Sequence, residues 1–292
     1  MSGLRLLAIH AHPDDEASKG AATMAKYAAE GHRVMVVTCT GGERGDILNP
    51  AMDRPGIRER IHEVRREEMA EAARVLGVEH RWLGHVDSGL PEGDPLPPLP
   101  EGSFGLERGE DIAAELVEII REFRPHVIIT YDENGGYPHP DHLKVHEASM
   151  IAWDKAGDAE FRTTIDGQEQ QPWEPLKLYY THGFVYERIK AFHDLLVQRE
   201  LESPYAEMLA MMEENKVDIM ARVTTQVPCA DYFEARDAAL RAHATQIDPE
   251  GGFLITNAED QADLWPTEEF ELAATRVSST LPENDLFAGI AE

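Results

Sequence analysis

Two short stretches of this chain concentrate residue types that hold metals and move protons. The first, AHPDDE, carries His12, Asp14 and Asp15; the second, PHPDH, carries His139, Asp141 and His142. Two imidazoles and one carboxylate are a ligand set of catalytic zinc, which keeps a fourth position for water. His12, Asp15 and His142 supply that set, and the same donors also suit Fe(II). A lone His-x-x-Asp arises often by chance, and a histidine after a strand is more often structural than a ligand. Two such stretches in one chain, each following an apolar run, favour a shared metal site.

Three ligands and a water still need groups that handle protons. A carboxylate beside the ion takes the proton of a water attacking a carbonyl. Asp14 has the right type, and its side chain is expected to diverge from that of the adjacent ligand Asp15. Asp is also a favoured helix N-cap, so a capping role for Asp14 stays open. A protonated His139 would stabilise an oxyanion and then give its proton to a leaving amine. Asp141 is expected to orient and charge that imidazole. Tyr137 would donate to the tetrahedral oxygen, or else pack as an aromatic beside Gly135 and Gly136.

Loops whose outer ligands, His12 and His142, are 130 residues apart must be brought together by the elements that carry them. Leu4 to Ile9 is a short apolar run ending in polar turn residues, the mark of a buried parallel strand. Glu16 to Glu30 reads as a helix closed by Gly31, and Val34 to Cys39 as a second strand. Ile57, Ile61, Val64, Ala72 and Leu76 recur at helical spacing before Gly77. His80 to Leu83 is a short strand. The stretch from Gly84 to Gly109, with DSGLPEGDPLPPLPEGSFG inside it, holds too many prolines for a regular element. Helix returns at Asp111, Val127 to Tyr131 forms a further strand, and DENGGYPHP leads into a helix near Asp141.

Strands alternating with helices predict an α/β fold, a Rossmann-like, mostly parallel sheet with helices on both faces. AHPDDE stands where a dinucleotide binder would carry G-x-G-x-x-G, which excludes that use of the fold. Ligands of open α/β sheets bind beyond the carboxyl ends of strands, where both histidine-rich loops emerge. Residues 1–150 are expected to form the metal-binding core. Residues 151–292 would complete the sheet edge and the pocket wall without forming an independent domain. Leu178 to Thr181 reads as a strand there, and Tyr205 to Met220 and Tyr232 to His243 as helices.

The chain has 27 basic and 55 acidic residues, a net charge of −28. A field of that sign repels phosphate backbones and anionic lipid, so neither nucleic acid nor membrane is an expected partner. No apolar run reaches the length of a membrane span, and the N-terminus lacks a signal-peptide shape, which predicts a cytoplasmic protein. The two cysteines, Cys39 and Cys229, are far apart and fit neither a disulfide framework nor a thiolate metal site.

AHPDDE after the first strand, VTCTGGERG after the second and ITYDENGGYPHPDH after a later one resemble the LmbE-like zinc deacetylases. The resemblance covers the first 150 residues and continues in RAHATQI near His243. It implies Zn2+ on His12, Asp15 and His142, with Asp14 as general base. It makes His139 the acid or oxyanion partner, with Asp141 behind it and Tyr137 as a flexible donor. Asp46, Arg65 and Asp87 would then hold sugar and inositol hydroxyls. The family includes N-acetylglucosaminyl-inositol deacetylases and mycothiol S-conjugate amidases. Lys19, in HPDDEASKG, matches the amidase pattern. The implied substrate is a small-molecule thiol conjugate whose glucosamine–cysteine amide is cleaved. The acetylated sugar is the alternative, and a non-catalytic sugar-binding protein with a structural metal is the reading from another class.

Overall fold

The computed structural model describes residues 3–165, 167–216 and 218–291. Strand β1 (Arg5–His10) leads through α1 (Asp15–Ser18) and α2 (Ala21–Ala29) into β2 (Arg33–Thr40). Then follow α3 (Ile61–Leu76), β3 (Glu79–His85), α4 (Gly109–Phe123), β4 (Val127–Thr130) and α5 (Pro140–Lys155). A small hairpin, β5 (Thr164–Ile165) and β6 (Gln168–Glu169), precedes β7 (Lys177–His182). The remainder comprises α6 (Tyr186–Gln198), α7 (Ala206–Glu214), β8 (Thr225–Pro228), α8 (Phe233–Ala242), α9 (Ala258–Leu264) and β9 (Thr267–Thr275).

The main sheet has seven strands in the order β3-β2-β1-β4-β7-β9-β8. The pairs β2–β3, β1–β2, β1–β4 and β4–β7 are parallel, whereas β9 runs antiparallel to both β7 and β8. The mostly parallel sheet agrees with the alternation of strands and helices, and the segment after residue 150 contributes one whole edge of it.

Side-chain alternation along the strands divides the core into two layers. Leu7 and Ile9 of β1 join Met35 and Val37 of β2 against Ile112, Leu116 and Ile120 of α4 and Val145 of α5. Leu6 and Ala8 point the other way, with Val34, Val36, Met24, Tyr27 and Met69. Leu7 and Ile9 have no exposed surface, and truncating either to alanine would cost about 2–5 kcal/mol. The register pairs Leu7 with Met35 on one side and Ile128 on the other, which locks the two loop-bearing strands together.

Two expectations differ from the structure. The helix expected over Glu16–Glu30 is broken: Lys19 is extended and Gly20 takes φ 87°, so α1 and α2 are separate. Glycine adopts that left-handed conformation without a Cβ penalty, and the break turns Lys19 back toward the preceding loop. The helix expected over Tyr205–Met220 ends at Glu214, and Val217 within that range lies outside the described residues. Among the described residues no helix is long and apolar enough to cross a membrane.

Candidate metal centre and active site

From β1 the chain moves outward through β2 to β3, then returns to place β4 on the other side of β1. The crevice between the carboxyl ends of β1 and β4 is therefore the topological switch point. AHPDDE leaves β1 there and ITYDENGGYPHPDH leaves β4 there.

Three donor atoms meet in this crevice. His12 Nδ1 lies 3.5 Å from Asp15 Oδ2, His142 Nε2 lies 3.5 Å from the same oxygen, and the two nitrogens are 3.3 Å apart. Nitrogen and oxygen donors sit about 2.0–2.2 Å from a small divalent transition-metal ion, so a tetrahedral arrangement separates them by about 3.3–3.6 Å. The observed triangle has those edges. All three residues are buried, and together they form a His/Asp cluster able to hold a cation.

The ring orientations leave the correct lone pairs free. His142 Nδ1 is 2.8 Å from the carbonyl of Gly135, so it carries the proton and Nε2 keeps its lone pair available to a cation. Burial holds the His142 pKa well below its ordinary value, which keeps the ring neutral. His12 Nε2 faces Asp141 Oδ2 at 3.1 Å and Asp87 Oδ1 at 3.6 Å, leaving Nδ1 toward the cluster. Burial opposes charging of His12, yet Asp141, Asp15 and Asp87 raise its pKa well above the ordinary value. Without a cation these carboxylates draw a proton onto His12, and metal uptake must release it. Gly135 has φ 70°, and a Cβ there would lie 2.7 Å from His142 Cβ. Glycine is what lets this backbone carbonyl reach the ring.

Asp141 corrects one expectation. Its carboxylate is bonded to His12 and to the backbone N–H of Ser88 at 3.0 Å, not to His139. As the first-turn residue of α5 after Pro140, it offers only its backbone N–H to His139, at 3.1 Å from Nδ1. That bond caps α5 and gives a second correction. Burial, then His12, lowers the His139 pKa to about 4, so the ring is neutral with its proton on Nε2. His139 is thus a neutral hydrogen-bond donor in the free site, not an imidazolium. Asp141→Asn should lower metal affinity by about 10–100-fold, because it weakens the group that fixes His12. Competitive chelator titration measures this.

Asp14 occupies a strained backbone position, φ 108°, which a non-glycine residue seldom adopts. Its N–H donates to Glu16 Oε2 at 3.0 Å, but its carboxylate does not cap α1. Burial and the neighbouring Asp15 raise its pKa to about 6, near the working range of a general base. Asp15 is the opposite case: against the cost of burial, Lys19, His142 and His12 hold it well below the carboxylate range. Lys19 Nζ lies 2.5 Å from Asp15 Oδ1. Tyr137 is 39% exposed, with its ring 4.7 Å from that of His142. Burial, Asp15 and Asp14 raise its phenol pKa, so it stays a donor.

The residues expected to hold sugar hydroxyls divide differently. Arg65 is 1% exposed, and its Nη2 donates to the carbonyls of Gly45 and Asp46, so it braces the loop after β2. Asp87 is also buried and accepts from the backbone N–H groups of Arg44 and Gly89, at 2.8 Å each. The Asp46 side chain alone of the three is exposed.

Sequence reasoning missed two supports. Tyr131, at the end of β4, donates to Asp15 Oδ2 at 2.6 Å, accepts from Ala11 N and stacks on His142 at 4.3 Å. Its signal was its place in ITYDENGG, directly after the strand. His243 Nε2 lies 2.6 Å from Glu16 Oε1, both fully buried, and Gln246 donates to the carbonyl of Pro13. The RAHATQI stretch therefore clamps the first metal loop from outside the core region.

A family model described as PIG-L, GlcNAc-PI de-N-acetylase, matches residues 7–153. The chain is 58% identical to the mycothiol S-conjugate amidase of Streptomyces coelicolor, over 99% of this chain and 98% of that protein. It is 38% identical to a 1D-myo-inositol 2-acetamido-2-deoxy-alpha-D-glucopyranoside deacetylase of Streptomyces scabiei, over 99% and 90% of the two chains. Its fold is similar to that of the N,N'-diacetylchitobiose deacetylase of Pyrococcus horikoshii. The TM-score is 0.58 at 17% identity, covering 92% of this chain and 83% of that one. With motifs, fold and relatives in agreement, the chain belongs to the PIG-L family, the LmbE-like proteins that its two histidine-rich loops resemble.

Proposed function

We propose that this protein is a zinc-dependent amidase that hydrolyses the glucosamine–cysteine amide of mycothiol S-conjugates. The products are glucosaminyl-inositol and an N-acetylcysteine S-conjugate. The observation that carries the hydrolytic reading is the donor triangle of His12, Asp15 and His142 beside an uncapped Asp14 carboxylate. The substrate reading rests on Lys19 and on the relative at 58% identity.

His12 Nδ1, Asp15 Oδ2 and His142 Nε2 would hold the zinc. When bound, the ion lowers the pKa of water and polarises a carbonyl. Asp14 takes the proton of the water that adds to the amide carbon. His139, neutral with Nε2–H, and Tyr137 donate to the oxygen that gains charge. The C–N bond then breaks, and the proton collected by Asp14 ends on the glucosamine amine. Asp141 and Tyr131 hold His12 and Asp15 in place throughout. The exposed Asp46 carboxylate suits a sugar hydroxyl, while Arg65 and Asp87 act by shaping the loops around it.

On this reading Lys19, whose Nζ contacts Asp15 Oδ1, faces the acyl side of the substrate, and its side chain would reach the cysteine portion of a conjugate once a cation engages Asp15. Lys19→Ser should shift the kcat/KM ratio of conjugate to acetylated sugar toward the sugar by about 10–100-fold, the worth of one charged hydrogen bond. The proposal itself is tested by mass spectrometry of the products from a mycothiol conjugate and from N-acetylglucosaminyl-inositol on one preparation. Turnover of the acetylated sugar in strong preference would overturn it. The deacetylase reading retains support from the relative at 38% identity, since both substrates share the glucosaminyl-inositol half.

A further inference from the structure

A cavity of about 350 Å³ opens toward the same end of the sheet as the His/Asp cluster and shares Lys19 with its surroundings. Its wall is built from Ser18 at the end of α1 and Lys19 after it, from Gly183 and Phe184 after β7, and from parts of α6, α7, α8 and the start of β9. Apolar side chains dominate it: Phe184, Ile189, Phe192, Met208, Phe233 and Trp265. Its four charged members are already engaged: Arg188 pairs with Glu269, Arg236 with Asp237 and Lys19 with Asp15, and Glu268 accepts from the backbone N–H groups of Ala22 and Thr23. Such a space is suited to a neutral apolar group, and its size is within the range of small-molecule sites.

Lys19 connects this cavity to the chemistry. It borders the cavity, and its Nζ contacts Asp15 Oδ1, so this one residue touches both the apolar space and a member of the donor triangle. A conjugate held across that wall would keep its polar sugar half over the open crevice. Its acyl half would run past Lys19 into the apolar space. On the acyl half, the only portion that is variable and apolar is the group attached to sulfur.

We propose that this cavity binds the S-substituent of the conjugate and selects bulky, preferably aromatic, thioethers. The assignment rests on the amidase reading above and names the part of the substrate that this chain recognises beside its metal. It also explains why segments distant in sequence, residues 183–208 and 233–268, enclose a void next to the site instead of packing shut.

The test compares S-methyl and S-(naphthylmethyl) mycothiol as substrates for the wild type, Met208→Trp and Phe184→Trp. Both positions are partly buried and line the cavity, so tryptophan fills it. The readout is the ratio of the two kcat/KM values on one preparation, which is independent of the fraction of folded enzyme. The wild type should prefer the naphthylmethyl conjugate by at least about tenfold, and each filled variant should lose most of that preference. A wild type that cleaves the S-methyl conjugate without preferring the larger one overturns the cavity assignment and leaves the amidase reading standing. Unchanged ratios in both variants do the same. A wild type that cleaves neither conjugate overturns the amidase reading itself, and the cavity assignment with it.

Discussion

Asp14→Asn is expected to lower kcat by roughly 10²–10⁴-fold while the protein keeps its metal. Asp14 is no part of the donor triangle, so the variant removes a proton acceptor and leaves the ligands alone. Its carboxylate does not cap α1, so little helix stability depends on it. Asparagine tolerates the left-handed backbone that residue 14 adopts, which preserves the loop. Burial and Asp15 raise the carboxyl to about 6, where it is a usable base at neutral pH. A nearby cation favours its charged form. Steady-state kinetics with metal content measured on the same sample decides the matter. Wild-type kcat in a metal-loaded variant would refute the assignment of Asp14 as the base.

His142→Ala is expected to abolish both metal retention and turnover. Its Nε2 is one corner of the triangle, and its Nδ1 is fixed by the Gly135 carbonyl, so the ring presents that nitrogen to the cluster. Loss of the Lewis acid removes several kcal/mol of transition-state stabilisation, at least about 10³-fold in rate. Elemental analysis after dialysis should find near-stoichiometric metal in the wild type and little in the variant. His142 also stacks on Tyr131, so the variant will melt at a lower temperature. Activity is therefore compared below that transition. A variant that keeps its metal would show that His142 is not a ligand.

The order of strands and helices was legible because each is written locally. Leu4 to Ile9, Val34 to Cys39 and Val127 to Tyr131 are short apolar runs with turn residues behind them, and all three are strands in the sheet. The meeting of His12, Asp15 and His142 was also legible, because a topological switch point brings two specific loops together whatever the rest of the chain does. Pairings that depend on the reach of a single side chain were not. Asp141 looks like a partner for His139, two residues away. Only the packed structure shows that the carboxylate turns to His12, 129 residues distant in sequence. Arg65 reads as a surface helix residue or a sugar ligand, yet its helix face is covered by the loop after β2. The clamp by His243 and Gln246 joins α8 to the first loop across more than two hundred residues, and the spacing along the chain holds no trace of it. Lys19 illustrates the same limit. Its place in the motif is visible, but the break at Gly20 that turns it between the metal loop and an apolar cavity is a tertiary event.

On the proposed function, one metal on this triangle drives cleavage of a conjugate amide. Metal-stripped protein titrated with Zn2+ while cleavage of a mycothiol S-conjugate is followed tests it most directly. Turnover should be negligible at the start, rise linearly and level off near one equivalent of zinc per chain. Full turnover by stripped protein, or zinc-loaded protein that leaves the conjugate intact, would contradict it.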